Sequence, residues 1–207
     1  MGFPRSVDDT HGRWPWVAAA ALVPVTALAA RRPAWLPLAA LLAHQTEEWF
    51  WPGGFLPWFN REIMRSPWDE EPIDRRIGLA INVPFGWGFS VAAAAGPRAA
   101  GPAALLYVSH LGNTGLHVSW AVRNRRYDPG TITALVTLTP VAVRGLHALR
   151  RDPAASERAV RLGMAGGVAM SAGLPVLLRR RLRRRLAERA GVRAPARPLP
   201  PGWRRGS

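Results

Sequence analysis

Two rows of polar side chains interrupt otherwise apolar stretches of this chain, and their spacing is helical. In His44-Gln45-Thr46-Glu47-Glu48 the histidine is followed at i+3 and i+4 by the two glutamates, so a helix carries all three on one face. His110, Asn113 and His117 follow one another at three and four residues and form a second row. The pooled carboxylates, imidazoles and amide suit three chemistries. His44, His110 and His117 with Glu48, or Glu47 in its place, are donor types that Zn²⁺ or Fe²⁺ accepts, and the remaining glutamate is a base for metal-bound water. Without a metal, a buried glutamate beside its like-charged neighbour can activate water while Asn113 and a histidine stabilise an oxyanion. The catalytic set is then Glu47, Glu48, His44, Asn113 and His117. A neutral glutamic acid could instead protonate an alkene or epoxide, as in membrane terpene cyclases. Against all three stands a plain clamp between helices, worth about 0.6–2 kcal/mol in a membrane.

These rows must be positioned by a chain of 207 residues with 28 basic side chains, all arginine, 13 acidic ones and a net charge of +15. The absence of cysteine excludes a disulfide framework, a thiolate metal site and a cysteine nucleophile. Absent lysine and abundant Ala, Gly and Pro resemble the vocabulary of a GC-rich bacterial genome, so part of the basicity is compositional. Mean hydropathy is near zero, yet apolar residues fill six intervals, about 15–30, 34–51, 77–95, 99–122, 131–149 and 159–178. A spanning helix needs roughly 20 apolar residues. The first interval is short and the second carries the polar row. Trp14, Trp16, Trp35, Trp49, Trp51, Trp58 and Trp68 gather at the ends of the first two or just beyond, where aromatic belts lie. The expectation is an all-α polytopic transmembrane bundle of about six spans, one domain over 1–178, followed by a disordered Arg/Pro-rich tail over 179–207. Ala27-Leu28-Ala29 resembles a signal-peptidase site, but Asp8, Asp9 and Arg31-Arg32 around the interval favour a retained helix.

Arginine counts orient the bundle. Residues 179–207 hold 11 arginines and one glutamate, which places the C-terminus in the cytoplasm of a bacterial cell. Six spans then distribute 20 arginines inside against seven outside, with Arg144 within a span. Such a tail reads as a topology determinant and a contact for anionic lipids. It lacks interleaved aromatics and a folded module, so no nucleic-acid partner is expected. Residues 52–76 begin with the helix-breaking Pro52-Gly53-Gly54 and mix apolar with charged residues, as an interfacial segment does, serving as a belt or as a lid over the inner face.

Charged centres within spans cost roughly 2.5–3.5 kcal/mol, so they mark function. Intervals two and four run in the same direction, and their polar rows lie roughly 5–14 Å from a common boundary at 1.5 Å per residue. The rows therefore share one layer, and Asn82 in the third interval reaches a similar depth. Just beyond the fourth interval, Arg126 and Tyr127 at the mouth are candidates, with Asn82, for binding substrate. Arg144 and His147 lie far from that mouth, and Arg144 is read as snorkelling outward.

His44-Gln45-Thr46-Glu47-Glu48, Asn113-Thr114-Gly115-Leu116-His117 and Tyr127-Asp128-Pro129-Gly130 carry, in order, an HXXEE, an N-x-x-x-H and a Y-x-P-G motif. Over about residues 35–150 the chain resembles the HXXEE-domain family of bacterial integral membrane proteins. The resemblance implies which residues matter without implying a settled reaction. The residue inventory is also similar to that of intramembrane CAAX-type prenyl-protein endopeptidases, but Pro52 stands where those would place an arginine after the glutamates. The expected function is intramembrane acid–base or metal-assisted chemistry, hydrolysis foremost, on a lipid-like, isoprenoid or hydrophobic substrate. Terpene-cyclase-like protonation, a small transporter or proton conduit, and a structural membrane protein are the alternatives. The expected partners are membrane lipids and that substrate. The absence of an internal repeat weighs against a secondary transporter.

Overall fold

The computed structural model describes residues 13–191, which are helical with no strand among them. Helix α1 is Trp14–Arg31, opened by Pro15 in its first turn, where the missing N–H costs nothing. A short 3-10 turn, Pro33–Trp35, leads into α2, Leu36–Trp49. The chain leaves α2 through Gly53 and Gly54, whose φ values of +74° and +87° favour glycine. The connector helix α3 covers 55–63 and widens into a π-turn at Phe59–Ile63. Helix α4 covers 75–93 with a π-turn at Ile81–Trp87 around Pro84. Helix α5 is Ala100–Asn124, α6 is Thr131–Arg151 with a π-turn at Ala134–Leu138, and α7 is Glu157–Arg189.

Helix α2 is the shortest of the main helices and the most enclosed. Every residue from Pro37 to Leu42 is buried, as are His44, Gln45, Glu47 and Glu48. Helix α1 covers one side through Trp14 and Ala18, which pack with Leu38 and Leu42. Helix α6 covers another through Ala134 and Leu138 against Ala40 and Leu41. Helix α5 lies along α7, and the two backbones approach so closely that a Cβ on Gly163 would strike the Gly101 carbonyl. The Ala134 carbonyl, which accepts the Thr139 N–H in the π-turn of α6, also accepts hydrogen bonds from Thr139 Oγ1 at 2.9 Å and Thr114 Oγ1 at 3.2 Å, the latter tying α6 to α5.

The six-span expectation is not carried by the helices themselves. Among the described residues, α1, α6 and α7 are long and apolar enough to cross a membrane, with mean hydropathies of 1.3, 1.4 and 1.4. Helix α2 has only 14 residues, α4 begins with Arg75-Arg76 and carries Asn82, and α5, though 25 residues long, holds the second polar row. The six apolar intervals correspond to six main helices, but they divide by role. The three apolar helices display Val23, Val136, Val143, Leu162, Val168 and Leu177 outward, while the polar rows face inward on α2 and α5.

The expected domain end at residue 178 is not a helix end. Helix α7 runs on to Arg189, because Leu178 and Leu182 are buried against the connector and arginine is a good helix former. Arg181 Nη2 donates to Asp74 Oδ2 at 2.8 Å, Arg185 and Arg189 approach Glu71, and the Arg189 guanidinium lies 3.9 Å from the Trp68 ring centroid. Part of the arginine run is therefore spent on the acidic connector. The rest of the expected tail, 192–207, lies outside the described residues, as do Asp8 and Asp9.

Asp74 has a double duty: its other oxygen, Oδ1, accepts from the Ile77 N–H at 2.9 Å and caps α4. Asp74→Ala should lower stability by about 1–2 kcal/mol, the loss of one cap and one partly exposed ion pair. A melting temperature measured in detergent checks this; an unchanged midpoint would mean that the connector holds α7 by its apolar contacts alone.

Candidate functional site

The two polar rows meet. The His44 Nε2 atom lies 2.8 Å from Asn113 Nδ2 and 3.2 Å from Glu48 Oε1, and His117 Nε2 lies 3.5 Å from the same Glu48 oxygen. One donor atom each from His44, Glu48 and His117 lies within 4.8 Å of the other two, and all three residues are buried. Tetrahedral donors bound at 2.0–2.1 Å sit about 3.4 Å apart, so the two carboxylate–imidazole separations are already those of ligands to one ion.

The backs of both imidazoles are held. Asp128 Oδ1 makes a very short contact with His117 Nδ1, and both side chains have 0% exposure. The His117 Nδ1 therefore carries the proton donated to the carboxylate, and its Nε2, 3.5 Å from Glu48 Oε1, presents a lone pair when the ring is neutral. His44 Nδ1 is 3.1 Å from Thr133 Oγ1. The Thr133 hydroxyl hydrogen is committed to Glu47 Oε2, so the threonine oxygen accepts from His44 Nδ1–H and leaves Nε2 as an acceptor. Both Nε2 atoms thus stand within 3.5 Å of one carboxylate oxygen, that of His44 also accepting from the Asn113 amide. A histidine whose far nitrogen donates to a carboxylate or hydroxyl is the usual supporting arrangement of a metal ligand.

Glu47 does something else. Its Oε1 accepts from the Tyr127 hydroxyl and from Ile132 N–H, the latter at 3.2 Å; its Oε2 accepts from Thr133 N–H at 2.7 Å and from the Thr133 hydroxyl. Four donors fill the carboxylate, which anchors residues 127–133 over the site. Burial and the bond to Glu47 hold the Tyr127 phenol above its ordinary range, so it remains a donor. Tyr127 is nonetheless 47% exposed at its outer edge.

The anchored turn brings Gly130 directly over the cluster. Its φ is +114°, and a Cβ there would stand 2.8 Å from both His44 Cε1 and His117 Cε1 and 3.1 Å from Glu48 Cγ. From the opposite chain segment, Trp58 of α3 stacks on the His117 ring at 5.1 Å with a 10° interplanar angle. The connector, expected as a belt or a lid, therefore packs on the site itself. Asn60 holds its loop by donating from Nδ2 to the Asp69 and Ile73 carbonyls and accepting from Ile73 N–H at Oδ1.

The other expected residues fall in different places. His110 is buried one turn before Asn113, but its Nε2 has no hydrogen-bond partner and it is outside the three-donor group. Asn82 Oδ1 accepts from Gln45 Nε2 at 2.9 Å, and Gln45 Oε1 accepts from Trp87 Nε1 at 2.8 Å. That network clamps α2 to α4 on another face of α2 and explains the matched depth without substrate. Arg126 and Tyr127 line a cavity of about 270 Å³ with Trp58 and Trp120. Arg144 and His147 are exposed and remote from the cluster.

Asp128, Thr133, Gly130 and Trp58 were not among the expected site residues. Asp128 and Gly130 lie inside the Y-x-P-G motif, whose Asp-Pro-Gly sequence by itself predicts only a turn. Thr133 and Trp58 carry no motif, and nothing local marks them.

A family model described as a protein of unknown function with an HXXEE motif matches residues 35–144. No curated protein and no solved structure matches the chain.

Proposed function

Because the chain belongs to this HXXEE-motif family, whose match embraces both polar rows and the turn that covers them, we propose that the shared residues form a divalent-metal centre of a membrane-embedded hydrolase. The observation that carries this reading is the convergence of His44 Nε2, His117 Nε2 and Glu48 Oε1, with both imidazoles pinned from behind. One carboxylate oxygen within 3.5 Å of two imidazole nitrogens is a donor set that a divalent cation can complete. Two histidines and one carboxylate suit Zn²⁺ or Fe²⁺, and three protein ligands leave a position for water or a substrate oxygen. A bound ion supplies Lewis acidity there. Once His44 Nε2 is given to a metal, the Asn113 amide loses its acceptor and becomes a free donor for an oxyanion.

In this reading the bundle lies in a bacterial cytoplasmic membrane with its C-terminus inside. All six main helices lie within the bilayer region: α1, α6 and α7 face lipid, and the shorter or more polar helices are shielded by them. The substrate is lipid-like or otherwise hydrophobic, since the site sits at the end of the bundle where the aromatic connector folds over it.

Metal analysis on detergent-purified protein tests the proposal. Wild type should carry about one Zn or Fe per chain, and His44→Ala/His117→Ala should carry roughly a hundredth of that affinity or less. A wild type that is folded, metal-free and unable to take up either ion would remove the metal centre.

A further inference from the structure

The cavity beside the candidate metal centre is lined by aromatic and charged side chains. Its walls combine the indoles of Trp58 and Trp120 with the guanidinium groups of Arg61 and Arg126 and the exposed edge of Tyr127. The volume of about 270 Å³ suits a head group and the first carbons of a chain, not a whole lipid. Trp58 separates the cavity from the cluster, since the same indole that lines it is stacked on His117.

The charges in the cavity are unequal. Arg61 is engaged by Asp69. Glu62, also in the wall, is 3.7 Å from Arg65 outside it. Arg126 makes no ion pair among the described residues, although it stands in a turn with Arg123 and Arg125. An uncompensated guanidinium beside two indoles and a phenol is a surface that welcomes an anion carrying an apolar chain. A small soluble anion would gain nothing from the indoles, and a neutral lipid nothing from Arg126.

We infer that this cavity receives the phosphate head group of an amphiphile, with Arg126 as its principal anchor, Arg61 as a second donor, and Trp58 as the wall between head group and metal centre. The inference rests on the proposed hydrolase site and names its substrate class: a membrane amphiphile with a phosphate monoester or diester at the interface.

Binding of tail-labelled phosphatidate to purified protein in detergent reads this out directly. Labelled diacylglycerol is the phosphate-free comparison, and inorganic phosphate is the competitor. Arg126→Gln should weaken phosphatidate binding roughly tenfold, the loss of one charge-assisted contact. Arg123→Gln, exposed in the last turn of α5 and outside the cavity wall, should change it less than about twofold. Diacylglycerol should bind wild type no better than it binds Arg126→Gln. Equal losses in the two arginine variants would mean diffuse attraction to a basic surface and would overturn the inference. Displacement by millimolar inorganic phosphate alone would identify a soluble-anion site and overturn it too. Metal content of the same samples separates the two claims. A metal-loaded protein without selective phosphatidate binding loses only the head-group site, and a metal-free protein that binds phosphatidate through Arg126 loses only the metal centre.

Discussion

Gly130→Ala will abolish metal uptake and any activity that depends on it, even though the change adds a single methyl group. Two penalties act at once. The φ of +114° lies where a residue with a Cβ is strained, at a cost of about 1–3 kcal/mol. The new methyl would stand 2.8 Å from a carbon of each imidazole and 3.1 Å from Glu48 Cγ, so all three candidate ligands would have to move. None can move freely. His117 is held by Asp128, His44 by Thr133, and Glu48 by its place on the enclosed α2. Overpacking in such a core costs about a further 1–3 kcal/mol. Metal titration of the purified variant against wild type measures the outcome. An alanine variant with undiminished affinity would show that the 127–133 turn is not seated on the cluster.

The second large effect separates two neighbouring glutamates. Glu48→Gln should lose the metal while the fold survives, because the amide still fits between the imidazoles but lacks the carboxylate charge. Glu47→Gln should do the reverse in kind and cost about 2–6 kcal/mol of stability. Four donors converge on the Glu47 carboxylate. A glutamine offers one oxygen, so its NH₂ must confront two of them, each buried donor left unpaired costing about 1–3 kcal/mol. Thermal unfolding of both variants, with and without added Zn²⁺, distinguishes the roles. Wild-type stability in Glu47→Gln would mean that its carboxylate is free to act as a base.

The sequence alone was enough for the periodic part of this protein. Apolar intervals predicted the main helices, and helical spacing put His44 with Glu48, and Asn113 with His117, on common faces. Direction of travel predicted that these two faces share a layer, and His44 now contacts Asn113 while Glu48 contacts His117. All of this depends on regularities within one helix or on counting along the chain.

What tertiary structure decided is which neighbour each side chain meets. Glu47 and Glu48 are adjacent in a motif and were indistinguishable in it. One faces the start of α6, some 80 residues away, and becomes an anchor; the other faces α5 and becomes a candidate ligand. Asp-Pro-Gly by itself predicts a turn, and only the fold-back of that turn onto α5 sets Asp128 behind His117. Asn82 was at the right depth but on the wrong side, since depth is set by distance along a helix and direction by which helix lies beside it. The contrast between the apolar α1, α6 and α7 and the enclosed α2 follows the same rule. Periodicity is local and can be read from spacing, whereas the identity of a packing partner is fixed only when distant segments compete to bury the same surface.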